Sequence, residues 1–365
     1  MLVVLTQMAI ADYRNQFISH LINTMYNHGD EFKIFVGKEY FEETTKTSEY
    51  VLSVDNTTVV KNVFFFNRRL AIQSLPISDI IKADVVICEL NPRILSTWLI
   101  LFTRKILRKR TILWGHIWAR NGQESKTEVL RNFMRKQGSS LLLYTKQQKE
   151  ELLSVYGNAC KASDDIYVAP NSLYFRQDME NLLSPIASGV VYVGRLVAAK
   201  KVDILIRSIP LVCSKQPDII FHIVGTGDQE VALKKLASDL GVIKNVIFYG
   251  HISEPERLKK IYKKSFVSIS PGYVGLSITQ SFSFGVPMII SKDEKHSPEL
   301  EALDINLNGG FFVTDKPESL AAEIITYYVG RENKLFDGEL IVQDCKSRYS
   351  VETMVEGVIN SVNKA

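Results

Sequence analysis

The 365-residue sequence is poor in cysteine and has no long apolar run. Its four cysteines, Cys88, Cys160, Cys213 and Cys345, form no CxxC pair and no zinc-finger spacing. That excludes a disulfide framework and a cysteine-built metal site, and it fits reduced thiols in a reducing compartment. No stretch of about 18 apolar residues occurs, so no bilayer-spanning helix is expected. Met1–Thr6 has no basic segment before its apolar residues and reads as a first strand, not a secretory signal. GxxxxGK[ST], a GxGxxG after the first strand, and GxSxG are all missing. A P-loop, a dinucleotide fingerprint and a nucleophile elbow are thereby disfavoured. The net charge of +4 is too small to imply nucleic acid as a partner. A cytoplasmic protein is expected, free or peripheral on the inner face of the membrane.

What is present is an alternation of short apolar runs with longer amphipathic stretches, the pattern of βα units around parallel sheets. Strands are expected at 2–5, 32–36, 63–66, 84–88, 111–114 and 140–144, then at 189–193, 219–224, 245–249, 266–270, 287–291 and 310–313. Many are apolar throughout, as in strands covered on both faces. The series breaks near 168–188. The division expected is an N-terminal Rossmann-like domain over 1–170, a C-terminal Rossmann-like domain over 171–345, and a C-terminal helix in 346–365 that packs back toward the first domain. The fold class is α/β, two Rossmann-like domains whose parallel sheets face a cleft. Ligands in such sheets sit beyond the carboxyl ends of the strands.

Four strand ends in the second half carry chemistry. Val191-Tyr192-Val193 runs into Gly194-Arg195, and Lys200 follows five residues after the arginine. Glycine allows a sharp turn, and a guanidinium with an ammonium can neutralise a diphosphate. His222-Ile223-Val224 runs into Gly225-Thr226-Gly227, and Val246–Tyr249 into Gly250-His251. Ile269-Ser270 leads through Pro271-Gly272-Tyr273-Val274-Gly275-Leu276 to a helix, whose first N–H groups can meet an anion.

In this order the segments resemble family 4 retaining glycosyltransferases, with their GR-x-x-x-x-K, VGxG, strand-glycine and EGFGL-x-x-x-E motifs. The resemblance is clear from Val190 to Val313 and weaker before it. It implies a GT-B fold, a nucleotide-sugar donor, retention of anomeric configuration and no required metal or other cofactor. No Asp-x-Asp metal-ligand pair of the GT-A kind occurs. By the resemblance, Arg195 and Lys200 hold the diphosphate, and Gly194, Gly225 and the backbone at Val274, Gly275 and Leu276 line the donor. His251 lies where the backbone meets the base, and Glu299 where an acidic residue starts a helix. The two motif glutamates fall at Gly272 and Gln280. Glycine cannot grip sugar hydroxyls, which favours a donor sugar needing no acidic partner there, a 6-deoxyhexose first. Gln280 keeps a donor and an acceptor for a ribose.

In the first half, Leu113-Trp114-Gly115-His116 ends a strand with an imidazole that can donate a bond or carry a proton. The resemblance assigns such a histidine to the donor sugar or acceptor, and His116, Arg195 and Lys200 form the expected catalytic set. Asp12, Arg14 and Arg120 are acceptor-side candidates. From Leu90 to Gln123 there are seven Lys or Arg and no acid. Arg104, Lys105, Arg108 and Lys109 are expected on the face opposite Leu95, Leu99, Phe102 and Ile106, where they would rest on anionic lipid. The resemblance points to a hexosyltransferase acting on a glycan or glycolipid acceptor in surface polysaccharide assembly, such as O-antigen. A non-catalytic homologue and a GT-B-type nucleotide-sugar epimerase remain as alternatives.

Overall fold

The computed structural model describes residues 1–43, 45–119 and 122–363, apart from the side chain of Asn158. It divides into two compact units, residues 1–173 with 349–365, and residues 174–348.

The first unit is built on a parallel sheet. Its strands are β1 (Leu2–Gln7), β2 (Glu31–Val36), β3 (Thr57–Val59), then, beyond a hairpin of β4 (Asn62–Phe65) and β5 (Leu70–Gln73), β6 (Val85–Glu89), β7 (Arg110–Trp114), β8 (Ser140–Leu143) and β9 (Ile166–Val168). Their order is β3-β2-β1-β6-β7-β8-β9. The central strands β1, β6, β7 and β8 are buried along nearly their whole length, which explains their unbroken apolar runs. The strand expected at 63–66 is not in this sheet. As β4 it pairs antiparallel with β5, and its alternating exposure marks it as one-sided.

The last helix, Val351–Val362, belongs to this unit. Ser350 caps it by accepting the Thr353 N–H. Val351, Met354, Val355, Val358 and Val362 are buried. A Cβ on Gly357 would stand 2.1 Å from the Val168 carbonyl oxygen, so only glycine lets the helix lie this close to β9. Arg110 closes its far end by donating to the carbonyls of Val362 at 2.7 Å and Ser361 at 2.9 Å.

The second unit holds β10 (Gly189–Val193), β11 (Ile220–Val224), β12 (Val246–Phe248), β13 (Ser265–Ser270), β14 (Met288–Ser291) and β15 (Gly309–Phe312). All are parallel, in the order β12-β11-β10-β13-β14-β15. Both sheets thus reverse winding once, between β1 and β6 and between β10 and β13. Those switch points are where doubly wound sheets open a ligand crevice.

Candidate functional site

In the second unit, the turns after β10, β11 and β12 are laced through their backbones. Gly194 N–H donates to Val224 O, Leu196 N–H to Thr226 O, and Gly225 N–H to Gly250 O. Gly225 has φ +139°, and a Cβ there would fall 1.8 Å from Gly194 O. At Gly227 a Cβ would lie 2.1 Å from Leu196 O. These glycines are fixed by close approach of one turn to the next. His251 beside them is exposed.

Lys200 is half-buried, and Arg195 is exposed. The Lys200 ammonium donates to Tyr273 O at 2.7 Å and lies 4.8 Å from the centre of the Tyr273 ring. Burial, with Arg195 adding to it, lowers its pKa to about 8, against the pull of Glu299. Near neutral pH this ammonium is therefore held at some cost, and a nearby anion would relieve it. Glu299 is buried, at 4% exposure, within the short helical turn Pro298–Ala302.

The loop 271–276 packs on this pair. A Cβ at Gly272 would meet Ala199 O at 2.6 Å and the Lys200 carbonyl carbon at 2.8 Å. The backbone of 199–200 thus occupies the place where any side chain at 272 would begin. The Val274 N–H and carbonyl are both engaged within the protein. The N–H donates to His296 Nδ1 at 3.1 Å, and the carbonyl accepts the Ser297 N–H at 3.2 Å. Gly275 and Leu276 N–H make no such bond among the described residues. The Gln280 amide is likewise engaged: Nε2 donates to the Tyr174 hydroxyl at 2.9 Å, and Oε1 accepts from Tyr262 at 3.4 Å.

The first unit carries a cavity of about 650 Å³ at its own switch point. His116 lines it, exposed, its ring 4.7 Å from that of Tyr144 and Nδ1 3.3 Å from Gln148 Nε2. Glu89, at the end of β6, also lines it and was not singled out by sequence reasoning. One carboxylate oxygen accepts the Met8 N–H at 2.5 Å. Burial raises its pKa to about 7, opposed by that bond, by Arg14 and by Tyr40. The available signal was a carboxylate ending an otherwise apolar strand, Val85-Val86-Ile87-Cys88-Glu89. Arg131 donates to Leu90 O and His116 O, while its Nε and the buried Trp114 Nε1 have no partner among the described residues. Both residues line the cavity.

Arg14 is buried at 8% exposure. It donates to the Tyr144 hydroxyl at 3.0 Å and to Asn171 Oδ1 at 3.4 Å, its guanidinium 5.0 Å from the Trp114 ring centre. It supports the cavity wall without lining it. Asp12 opens a short 3-10 turn and is exposed. Arg120 lies outside the described residues.

The basic face expected on the helix Leu95–Ile106 needs correction. Arg104 is fully buried, donating to Thr111 Oγ1 and to the carbonyls of Ile80, Ala83, Asp84 and Arg110. These carbonyls come from the end of the helix Ile77–Lys82 and from the starts of β6 and β7, and one guanidinium fork ties them together. Lys105 and Arg108 stay exposed and Lys109 partly so, and so do the apolar Leu99 at 57%, Phe102 at 43% and Ile106 at 82%.

Comparison with known proteins agrees with this architecture. Residues 187–334 match the family model of glycosyl transferases group 1. An uncharacterized glycosyltransferase of Methanocaldococcus jannaschii is 28% identical over 135 residues, 36% of this chain and 33% of that protein. The poly(ribitol-phosphate) alpha-N-acetylglucosaminyltransferase of Staphylococcus aureus is 24% identical over 174 residues, 48% of this chain and 35% of that protein. The chain thus spans about a third of the length of these relatives. The crystal structure of Anabaena HepE in complex with UDP superposes with a TM-score of 0.73 at 14% identity, over 99% of both chains. The fold is therefore GT-B along the whole chain, and its second unit carries the match to the group 1 glycosyl transferases.

Proposed function

We propose that the protein is a retaining, metal-independent glycosyltransferase that moves a sugar from a nucleoside diphosphate to a glycan or glycolipid acceptor in surface polysaccharide assembly. The observation that carries this reading is the half-buried Lys200 beside Arg195, set at the switch point of a sheet whose residues match a glycosyl-transferase family. Arg195, Lys200 and the N–H groups of Gly275 and Leu276 stabilise charge on the departing diphosphate, the work a metal does in other enzymes. UDP is the first donor nucleotide to test, since HepE was solved with it. The bond from anomeric carbon to phosphate oxygen breaks as the acceptor hydroxyl attacks from the same face, and its proton passes to the leaving diphosphate.

The acceptor belongs in the cavity of the first unit, with His116, Glu89 and Arg131 as its polar walls and Trp114 Nε1 as a buried donor. A polymer of the cell surface is favoured by the similarity to a poly(ribitol-phosphate)-modifying enzyme. Membrane attachment runs through the exposed apolar face at Leu99, Phe102 and Ile106, with Lys105 and Arg108 beside it for anionic headgroups.

A second reading, a binding homologue without turnover, is favoured by Gly272 and by the engagement of both ends of the Gln280 amide. One experiment separates the readings. Labelled UDP-glucose, UDP-N-acetylglucosamine, GDP-mannose, GDP-fucose and dTDP-rhamnose are incubated with and without lipid-linked acceptors, in excess chelator. Acceptor-dependent transfer supports the transferase. Inversion or hydrolysis without acceptor indicates a nucleotide-sugar epimerase. Binding without reaction supports the homologue. Transfer that needs added Mg²⁺ or Mn²⁺ refutes metal independence. A clear preference for an ordinary hexose refutes the 6-deoxy expectation alone.

A further inference from the structure

His296 stands between two partners that fix its protonation. On one side is the N–H of Val274, which can only donate; it reaches His296 Nδ1 at 3.1 Å. On the other is the carbonyl of Ser291, which can only accept; it lies 2.7 Å from His296 Nε2. Nδ1 must therefore carry a lone pair and Nε2 the proton. The ring is neutral and joins the end of β14 to the loop 271–276. Ser297 adds a second tie by donating to Val274 O. Val274 is fully buried, so the two residues after it begin from a fixed point.

We propose that neutral His296 is a positioning residue that holds the loop 271–276 with the N–H groups of Gly275 and Leu276 open to a diphosphate, and that protonation of its Nδ1 releases the loop. The role rests on the donor-site reading above. A protonated ring would set one N–H against another at Val274, turning a bond into a repulsion. Burial, foremost, and the Lys200 charge hold the pKa of His296 below its usual value, against its Ser291 bond and Glu294. Glu294 is itself paired with Lys201 at 2.5 Å, and Glu299 faces Lys200. The neutral clamp is therefore fully present above about pH 6.5 and is lost as pH falls through the lowered value.

The test has two arms on the full chain. In the first, exchange of the Val274 amide is followed without ligand from pH 8 downward to the acid limit of folding, corrected for intrinsic rates. At pH 8 protection is expected in the wild type and in His296→Asn, whose Oδ1 can take the place of Nδ1, but not in His296→Ala. In the wild type protection is lost only as pH falls through the lowered pKa of His296. Equal protection in His296→Ala and the wild type overturns the clamp. In the second arm, calorimetry compares UDP with uridine, with matched melting temperatures as the control for folding. His296→Ala should weaken UDP about tenfold, equivalent to about 1.4 kcal/mol, leave uridine unchanged, and be rescued by His296→Asn. Equal weakening of both ligands, or of neither, overturns the positioning role. If the wild type binds no nucleoside diphosphate, the donor site itself fails and the positioning role with it, whatever the first arm gives for the clamp.

Discussion

In the second unit, the turns at the switch point meet backbone to backbone: Gly225 against Gly194, Gly227 against Leu196, Gly272 against Ala199 and Lys200. In the first unit, the strand ends meet through side chains: Glu89 on Met8, Arg14 under Trp114 and Tyr144, Arg131 on Leu90 and His116. Both sheets reverse direction once, yet one site is framed by what is missing at Cβ and the other by what extends beyond it. A backbone frame tolerates few residues and should be brittle to substitution. A side-chain frame can change its ligand while keeping its fold.

The largest effect should come from the cations set on the backbone frame. Replacing Arg195 and Lys200 together with Ala removes two charge-assisted contacts of about 1.5–3 kcal/mol each. Calorimetry should show UDP binding weakened at least a hundredfold, with an unchanged melting temperature. Unchanged affinity would dissolve the contrast, since the frame would then hold no ligand. The wild-type affinity should also fall as pH rises above about 8, where free Lys200 loses its proton. Calorimetry in two buffers of different ionisation enthalpy should detect proton uptake on binding there.

The frame itself is probed by Gly225→Ala. A Cβ 1.8 Å from a carbonyl oxygen, at φ +139°, should cost about 2–4 kcal/mol of stability in urea unfolding. A loss below about 0.5 kcal/mol would show that the turns can part.

For the side-chain frame, Glu89→Gln keeps an acceptor for Met8 while removing the carboxylate. The folded pKa of Glu89 is raised, so its contribution to stability is full below the unfolded value and is lost as pH rises through about 7. The variant should gain about 1–3 kcal/mol over the wild type at pH 8 and little at pH 5. Equal effects at both pH values would mean the carboxyl is solvated.

The smallest effect is expected at His251. Its side chain is exposed and the resemblance gives it only a backbone contact. His251→Ala should leave UDP affinity within about twofold, because surface substitutions rarely exceed 0.5 kcal/mol. A tenfold loss would bring a side chain into the backbone-framed site.

The same contrast governs what could be read from the sequence. Most parallel strands declared themselves as apolar runs, the short edge strands Thr57–Val59 and Ile166–Val168 excepted, and strand-end glycines as punctuation, because each is required by local geometry. The second unit's turns were therefore legible, down to Gly194, Gly225 and Gly250. Val63–Phe66 misled because a one-sided hairpin strand and a buried strand are equally short and apolar. Arg104 misled because helical spacing reports which residues share a face, and says nothing about carbonyls on neighbouring elements that one guanidinium can satisfy. Glu89 was passed over because a single carboxylate at a strand end has no spacing to mark it. The engagement of Val274 by His296 joins residues 22 positions apart, a relation that only the pairing of β13 with β14 brings about.

The return of residues 349–363 to the first unit has a consequence for the order of assembly. A chain emerging from the ribosome has the whole second unit in hand once Arg348 is out. The first unit, although its sheet is made earliest, still shows bare β9 and an uncovered face until Gly357 can settle on Val168. Nascent chains stalled before residue 349 should therefore be open to proteases around 140–170 and already resistant within 190–330. Of the two units, the one whose sheet is made first is the one completed last.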